Sequence, residues 1–232
     1  MDKIITIDGP AGAGKSTVSR IVANELDFLY LDTGAMYRAV ALQTKIQGLD
    51  FCDGDGLKEM CNRLDLRFVS DGDVPRILNG EEDISLAIRS PEMDMLASRV
   101  SAVKEVREAM TGLQRRIGAK RGLVAEGRDM GTVVFPDADK KFFVTASVEV
   151  RAERRYQERT YRGEPVLKEE VLAELKKRDE QDSNRSIAPL HPARDALILD
   201  TSFLSIDEVV KAILISTRGP LEDGENAESP QV

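Results

Sequence analysis

Apolar and polar positions change period several times along this chain, and each change marks an element. Residues 4–7 (IITI) form a β-branched run ending in Asp8-Gly9-Pro10, the pattern of a buried parallel strand entering a turn. From Lys15 the period becomes helical, with Val18, Ile21, Val22 and Leu26 on one face. Residues 28–31 read as a second strand, Asp32-Thr33-Gly34 as a second turn, and Met36, Val40 and Ile46 as the stripe of another helix. A β-α-β-α opening predicts an α/β fold with a parallel sheet.

Residues 64–85 break this rhythm. Residues 66–69 and 76–78 look like short strands, and Asn79-Gly80 is a hairpin signal, so a small antiparallel sheet is expected as an insert. Ser90-Pro91, a cap followed by proline, opens a helix carrying Met93, Leu96, Ala97 and Val100. A second helix carries Val106, Met110, Leu113 and Ile117. Residues 123–125 and 142–145 are strands, separated by a Gly- and Pro-containing loop at 127–136. An arginine-dense helix at 147–162 breaks at Gly163-Glu164-Pro165, and 166–182 is helical again. Residues 196–199 are a last strand, and Ser205-Ile206-Asp207-Glu208 is a capping box opening a helix to about Thr217. Residues 1–217 are expected to form one domain and 218–232, without apolar period, a disordered tail.

Composition narrows the function. The 232 residues are 41% hydrophobic and 32% charged, ordinary for a soluble domain, and carry a net charge of -8. That charge argues against a nucleic-acid partner. Any phosphate chemistry must therefore use local clusters of Arg and Lys. Cys52 and Cys61 stand nine apart with no histidine near, which disfavours zinc and suits a reduced, cytoplasmic chain. His191, the single histidine, reads as a loop residue. The N-terminus lacks a signal peptide's long apolar region, and no run approaches the ~18 apolar residues of a membrane span.

Gly9-Pro10-Ala11-Gly12-Ala13-Gly14-Lys15-Ser16 fits G-x-x-x-x-G-K-[ST] in full, between a strand and a helix. Its glycines let backbone N–H groups curl around phosphate oxygens, and the following helix points its positive end at the same anion. Lys15 would reach the β- and γ-phosphates, and Ser16 would hold Mg²⁺. This loop implies a nucleoside triphosphate, not a particular reaction.

The acceptor side lies at the other strand ends. Thr33 can donate to a phosphate and Arg38 can grip one bidentately, with a solvated helix residue as the plainer alternative for Arg38. Arg128 can bind phosphate, and Asp129 can accept from an amino group, place a metal or simply form a turn. Arg178, Asp182 and Arg185 share one face if the helix continues, either as ligands or as a surface ladder. Arg151, Arg155, Arg159 and Arg162 form a stripe, with Arg154, Tyr156 and Tyr161 beside it. Arginines on a flap hinged at Gly163 and Pro165 would stabilise transferring phosphoryl oxygens and exclude water; ion pairing with Glu149, Glu153 and Glu158 is the plainer alternative.

The loop at 7–17 (IDGPAGAGKST), the turn at 31–38 (LDTGAMYR), and the segments 126–138 (EGRDMGTVVFPDA) and 177–190 (KRDEQDSNRSIAPL) together resemble bacterial cytidylate kinases. The resemblance implies a P-loop nucleoside monophosphate kinase fold: a five-stranded parallel sheet flanked by helices, a small antiparallel insert and a helical lid. The monophosphate-binding insert would span about 40–100 and the lid about 150–185. It implies transfer of the γ-phosphoryl group of ATP to CMP or dCMP with Mg²⁺. Residues 9–17 (Gly9 to Thr17) would bind ATP. Thr33, Arg38 and Arg128 would hold the CMP phosphate, with Tyr37 among the substrate-binding residues. Ser98, Arg107 and Asp129 would read cytosine, and Arg178, Asp182 and Arg185 would contact sugar and phosphate. Lys15, Arg128, Arg155 and Arg159 would be catalytic. A monomer is implied. A kinase for UMP, AMP or shikimate, or a nucleotide-binding regulator without turnover, remain the alternatives.

Overall fold

The computed structural model describes residues 3–69, 76–119 and 122–218. In chain order the first elements are β1 (Ile4–Asp8), α1 (Lys15–Leu26), β2 (Leu29–Asp32), α2 (Thr33–Gln47) and α3 (Gly54–Arg63). The insert follows as β3 (Leu66–Val69), β4 (Arg76–Asn79) and β5 (Glu82–Asp83), then α4 (Pro91–Val100) and α5 (Lys104–Gly118). The chain returns with β6 (Leu123–Gly127), β7 (Lys140–Thr145), α6 (Val148–Tyr161), α7 (Lys168–Asn184), β8 (Leu197–Asp200) and α8 (Ile206–Arg218).

Five parallel strands run in the order β2-β6-β1-β7-β8, and β3-β4-β5 form a separate antiparallel sheet. Alternation sends side chains of one strand to opposite layers. Leu123 and Ala125 of β6 pack with Met36, Val40, Met93 and Met110 on one side. Val124, with Ile5 and Ile7 of β1, packs with Val18, Val22, Val210 and Ile213 on the other. α6 and α7 pair over a small cluster, Ala152, Val171 and Leu175, against which Ala11 also packs.

The anticipated caps form: Ser90 Oγ accepts from Met93 N, and Ser205 and Glu208 bond reciprocally. Helix α3 was not legible, because two glycines and few apolar residues disguise it. Asp53 caps it through Gly56 N, and Leu57, Met60 and Cys61 are its buried face. The third insert strand, β5, is likewise an addition. Helix α7 stops at Asn184, so Arg185 adopts extended backbone beyond the helix rather than sharing its face. Arg218 closes α8 instead of opening a tail, and the rest of that segment, 219–232, lies outside the described residues. Among the described residues no helix is long and apolar enough to cross a membrane.

Candidate active site

The carboxyl ends of β1, β2 and β6 face one crevice of about 650 Å³. Gly9 lets β1 turn into the phosphate loop: with φ +146°, a Cβ there would stand 1.9 Å from the Val144 carbonyl oxygen. Gly14 takes left-handed backbone, φ 85°, directly before α1. The Lys15 ammonium folds beneath the loop and donates to the Pro10 carbonyl at 2.8 Å. Burial pushes its pKa down to about 7, with the Arg128 charge adding to the fall and Glu126 opposing it.

Glu126 is a residue to which the sequence reading gave no role. Ser16 Oγ donates to its Oε1 at 2.6 Å and the Tyr30 hydroxyl to its Oε2 at 2.7 Å. Burial, reinforced by the charge of Asp32, raises its pKa. Asp32 and Glu126 are register partners on adjacent strands. The signal available beforehand was their place at the ends of strands, where ligands bind in parallel sheets.

Across the crevice stand the acceptor candidates. Arg38 lies 3.4 Å from Asp32 Oδ2 and 3.7 Å from Asp94 Oδ1. Arg128 Nε donates to Asp182 Oδ2 at 2.8 Å. Burial works against the Asp182 carboxylate, but Arg128 and Arg178 outweigh it and hold its pKa below the ordinary value. Burial, then Arg128, lowers the pKa of Arg178. Arg38 Nε, Arg178 Nε and Arg185 Nη2 are buried without hydrogen-bond partners. The Thr33 hydroxyl donates to the Glu126 carbonyl at 2.6 Å, so here its proton serves the backbone and not the crevice.

Asp129 is held between Arg107, which donates to Oδ2, and Arg185, 3.8 Å from Oδ1. The Arg107 guanidinium also sits 5.7 Å from the Tyr37 ring centroid, and burial pushes the Tyr37 phenol up to about 12. Ser98 Oγ lies 3.4 Å from Gln181 of α7. A π-helical turn, Met130–Val134, sets this geometry; Phe135 N reaches back five residues to Met130 O at 2.7 Å. Asp8 anchors it by accepting from Met130 N and Gly131 N, each at 2.8 Å. Burial lifts Asp8 to about 6 despite those two bonds.

The arginine-dense helix does not present one stripe. Arg151 is buried, bonding Ala11 O, Ala146 O and Asp179, and so ties α6 to the phosphate loop and to α7. Arg155 lines the crevice, as do Arg154 and Arg162. Arg159 does not: Glu164 and Glu174 each take its guanidinium at 2.9 Å, because α7 packs against that face of α6. Arg154, unassigned from sequence, bonds Thr201 on the donor side. Gly9 and Pro10 stand behind the crevice, whereas Ala11, Gly12, Ala13, Gly14, Lys15, Ser16 and Thr17 line it. Its donor end is apolar, with Val18, Leu204, Ile206 and Val209. All ten expected acceptor residues line the other end.

Comparison with known proteins points the same way. The model of the family described as Cytidylate kinase matches residues 5–218. A cytidylate kinase of Geobacter sp. (strain M21) is 46% identical over 222 residues, covering 96% of this chain and 95% of that protein. One of Carboxydothermus hydrogenoformans is 49% identical over 210 residues, covering 90% and 95%. One of Vibrio cholerae is 45% identical over 211 residues, covering 91% and 94%.

Proposed function

The chain belongs to the cytidylate kinase family, and from that premise we propose that its crevice moves the γ-phosphoryl group of ATP to CMP or dCMP. The products are ADP and CDP or dCDP. The observation that carries this reading is the facing of two anion sites: a complete phosphate loop on one wall, and on the other Arg38 and Arg178, each with a buried nitrogen that makes no hydrogen bond.

In this reading the loop backbone, Lys15 and Thr17 hold the triphosphate, and the apolar end beside Leu204 and Ile206 takes the adenine. The hard oxygens of Ser16 and Glu126, converging at 2.6 Å, fit Mg²⁺, which keeps few protein ligands. When bound, Mg²⁺ neutralises charge on the β- and γ-oxygens. Arg38, Arg128 and Arg178 hold the acceptor phosphate, with Asp182 keeping Arg128 aimed, and Thr33 joins them only when its hydroxyl turns from the Glu126 carbonyl. Asp129 accepts from the cytosine 4-amino group; uracil presents a carbonyl there and is repelled. Ser98 and Arg107 border the base, Tyr37 backs Arg107, and Arg185 steadies Asp129. The acceptor phosphate is already ionised, so placing it in line with the γ-phosphorus suffices without a general base. Lys15, Arg128 and Arg155 stabilise the transferring oxygens, and Arg159 joins them only if the flap moves to release Glu164 and Glu174. We take the protein to act as a cytoplasmic monomer on small nucleotides, without nucleic acid; its thiols, Cys52 and Cys61, are free, in keeping with a reducing compartment.

An ADP-release assay across CMP, dCMP, UMP, AMP and shikimate tests the reading. CMP and dCMP should lead. Activity with none of the five would sink the kinase assignment, and UMP ahead of CMP would sink the role of Asp129.

A further inference from the structure

Two consecutive arginines of α6 straddle the crevice. Arg154 reaches the donor side: its Nη1 is 3.9 Å from where a Cβ on Gly14 would stand, and it bonds Thr201. Arg155 reaches the opposite side: Glu158 of its own helix takes Nη1 at 2.8 Å, and Nη2 donates to Asp94 Oδ2, across the crevice on α4 and, among the described residues, the one partner outside the flap. The other Asp94 oxygen lies 3.7 Å from Arg38, a member of the acceptor phosphate site. Asp94 is thus an internal anion placed among the acceptor-side arginines, linking one of them to the flap.

An arginine over the γ-phosphate lowers the barrier for any nucleophile, water included. In the futile reaction water attacks the γ-phosphorus, the bond to the β-phosphate oxygen breaks, and ADP, phosphate and a proton leave. A kinase needs that cation withheld until its acceptor is seated. We propose that Asp94 is a positioning residue that parks Arg155 on the acceptor side and releases it when an acceptor phosphate arrives, thereby restraining ATP hydrolysis. The incoming dianion replaces Asp94 as the partner of Arg38 and repels its carboxylate, which is 23% exposed and free to take up water. This inference rests on the reading of the site as a CMP kinase.

The test measures ATP hydrolysis without acceptor, and the KM for CMP, in the full chain and in Asp94→Asn, Asp94→Ala and Asp94→Glu. Both charge-removing variants should hydrolyse ATP about tenfold faster, a small part of the 10³–10⁵ that such an arginine supplies. Their KM for CMP should fall about threefold, since an anion facing the acceptor phosphate is gone. Asp94→Glu should stay near the unaltered protein in both, and adding Arg155→Met to Asp94→Asn should abolish the excess hydrolysis. A merely structural role would raise KM and leave hydrolysis unchanged. Hydrolysis unchanged in both charge-removing variants, or a KM for CMP that holds or rises, overturns the proposal. Failure of the unaltered protein to phosphorylate CMP would instead sink the functional reading, and this inference with it.

Discussion

In the proposed reading, the two walls of the crevice recognise phosphate by different means. The donor wall is built on one contiguous stretch, residues 11–17, whose backbone N–H groups are aimed by the strand-turn-helix path itself. The acceptor wall is assembled from α2, α4, α5, the turn after β6, and α7 with the residue beyond it. There, guanidinium groups are held by carboxylates: Arg38 by Asp32 and Asp94, Arg128 by Asp182, and Arg107 and Arg185 by Asp129. A backbone cradle is complete without partners. An arginine cluster needs counter-ions to exist while empty, and those counter-ions set its selectivity.

If the donor wall depends on one buried cation, Lys15→Met should lower kcat by about 10³-fold while the circular dichroism spectrum and melting temperature stay near the original. Turnover within tenfold of the original would break the contrast. If the acceptor wall reads the base, Asp129→Asn should raise the KM for CMP by about 10- to 100-fold and that for ATP by less than threefold. Equal effects would move Asp129 to the shared chemistry.

The depressed Lys15 gives a third test. Its pKa is about 7 when the site is empty and returns upward beside a triphosphate, so ATP binding takes up a proton above pH 7. ATP affinity should therefore fall by up to about tenfold per pH unit above pH 7. Calorimetry in buffers of different ionisation heat should show the uptake, and Lys15→Met should lose it.

The smallest effect concerns Asp8, which ends the donor strand yet holds the acceptor turn. Its folded pKa, about 6, lies above the ordinary 3.8, so the native state binds more protons than the unfolded state between those values. Stability from this group is greatest below about pH 4 and lost as pH rises towards 6. The melting temperature of the unaltered protein minus that of Asp8→Asn should drop by a few degrees across that window and be level above it. A difference that grows with pH would reverse the assignment.

Much of the fold was legible because the core strands and helices carry strong periods and clear caps, as at Ser90 and Ser205. Helix α3 hid behind Gly54 and Gly56, whose poor propensity is overridden by the Asp53 cap and the burial of Leu57 and Met60. The helical arginine spacing of α6 misled for a related reason: spacing gives a helix face but not its neighbour, and α7 claims Arg159 while the crevice takes Arg155.

Alone, the chain determined its phosphate loop, since a contiguous motif between a strand and a helix has one backbone path whatever surrounds it. Through resemblance it also offered candidates for the acceptor residues. What only the tertiary structure decided was which charges meet. The Asp94 contact with Arg155 joins positions 61 residues apart, and the Ser16 bond to Glu126 joins positions 110 apart. Such pairs are made by the packing of α1, α4 and α6 about the sheet, and packing is a property of the whole chain, not of any segment within it.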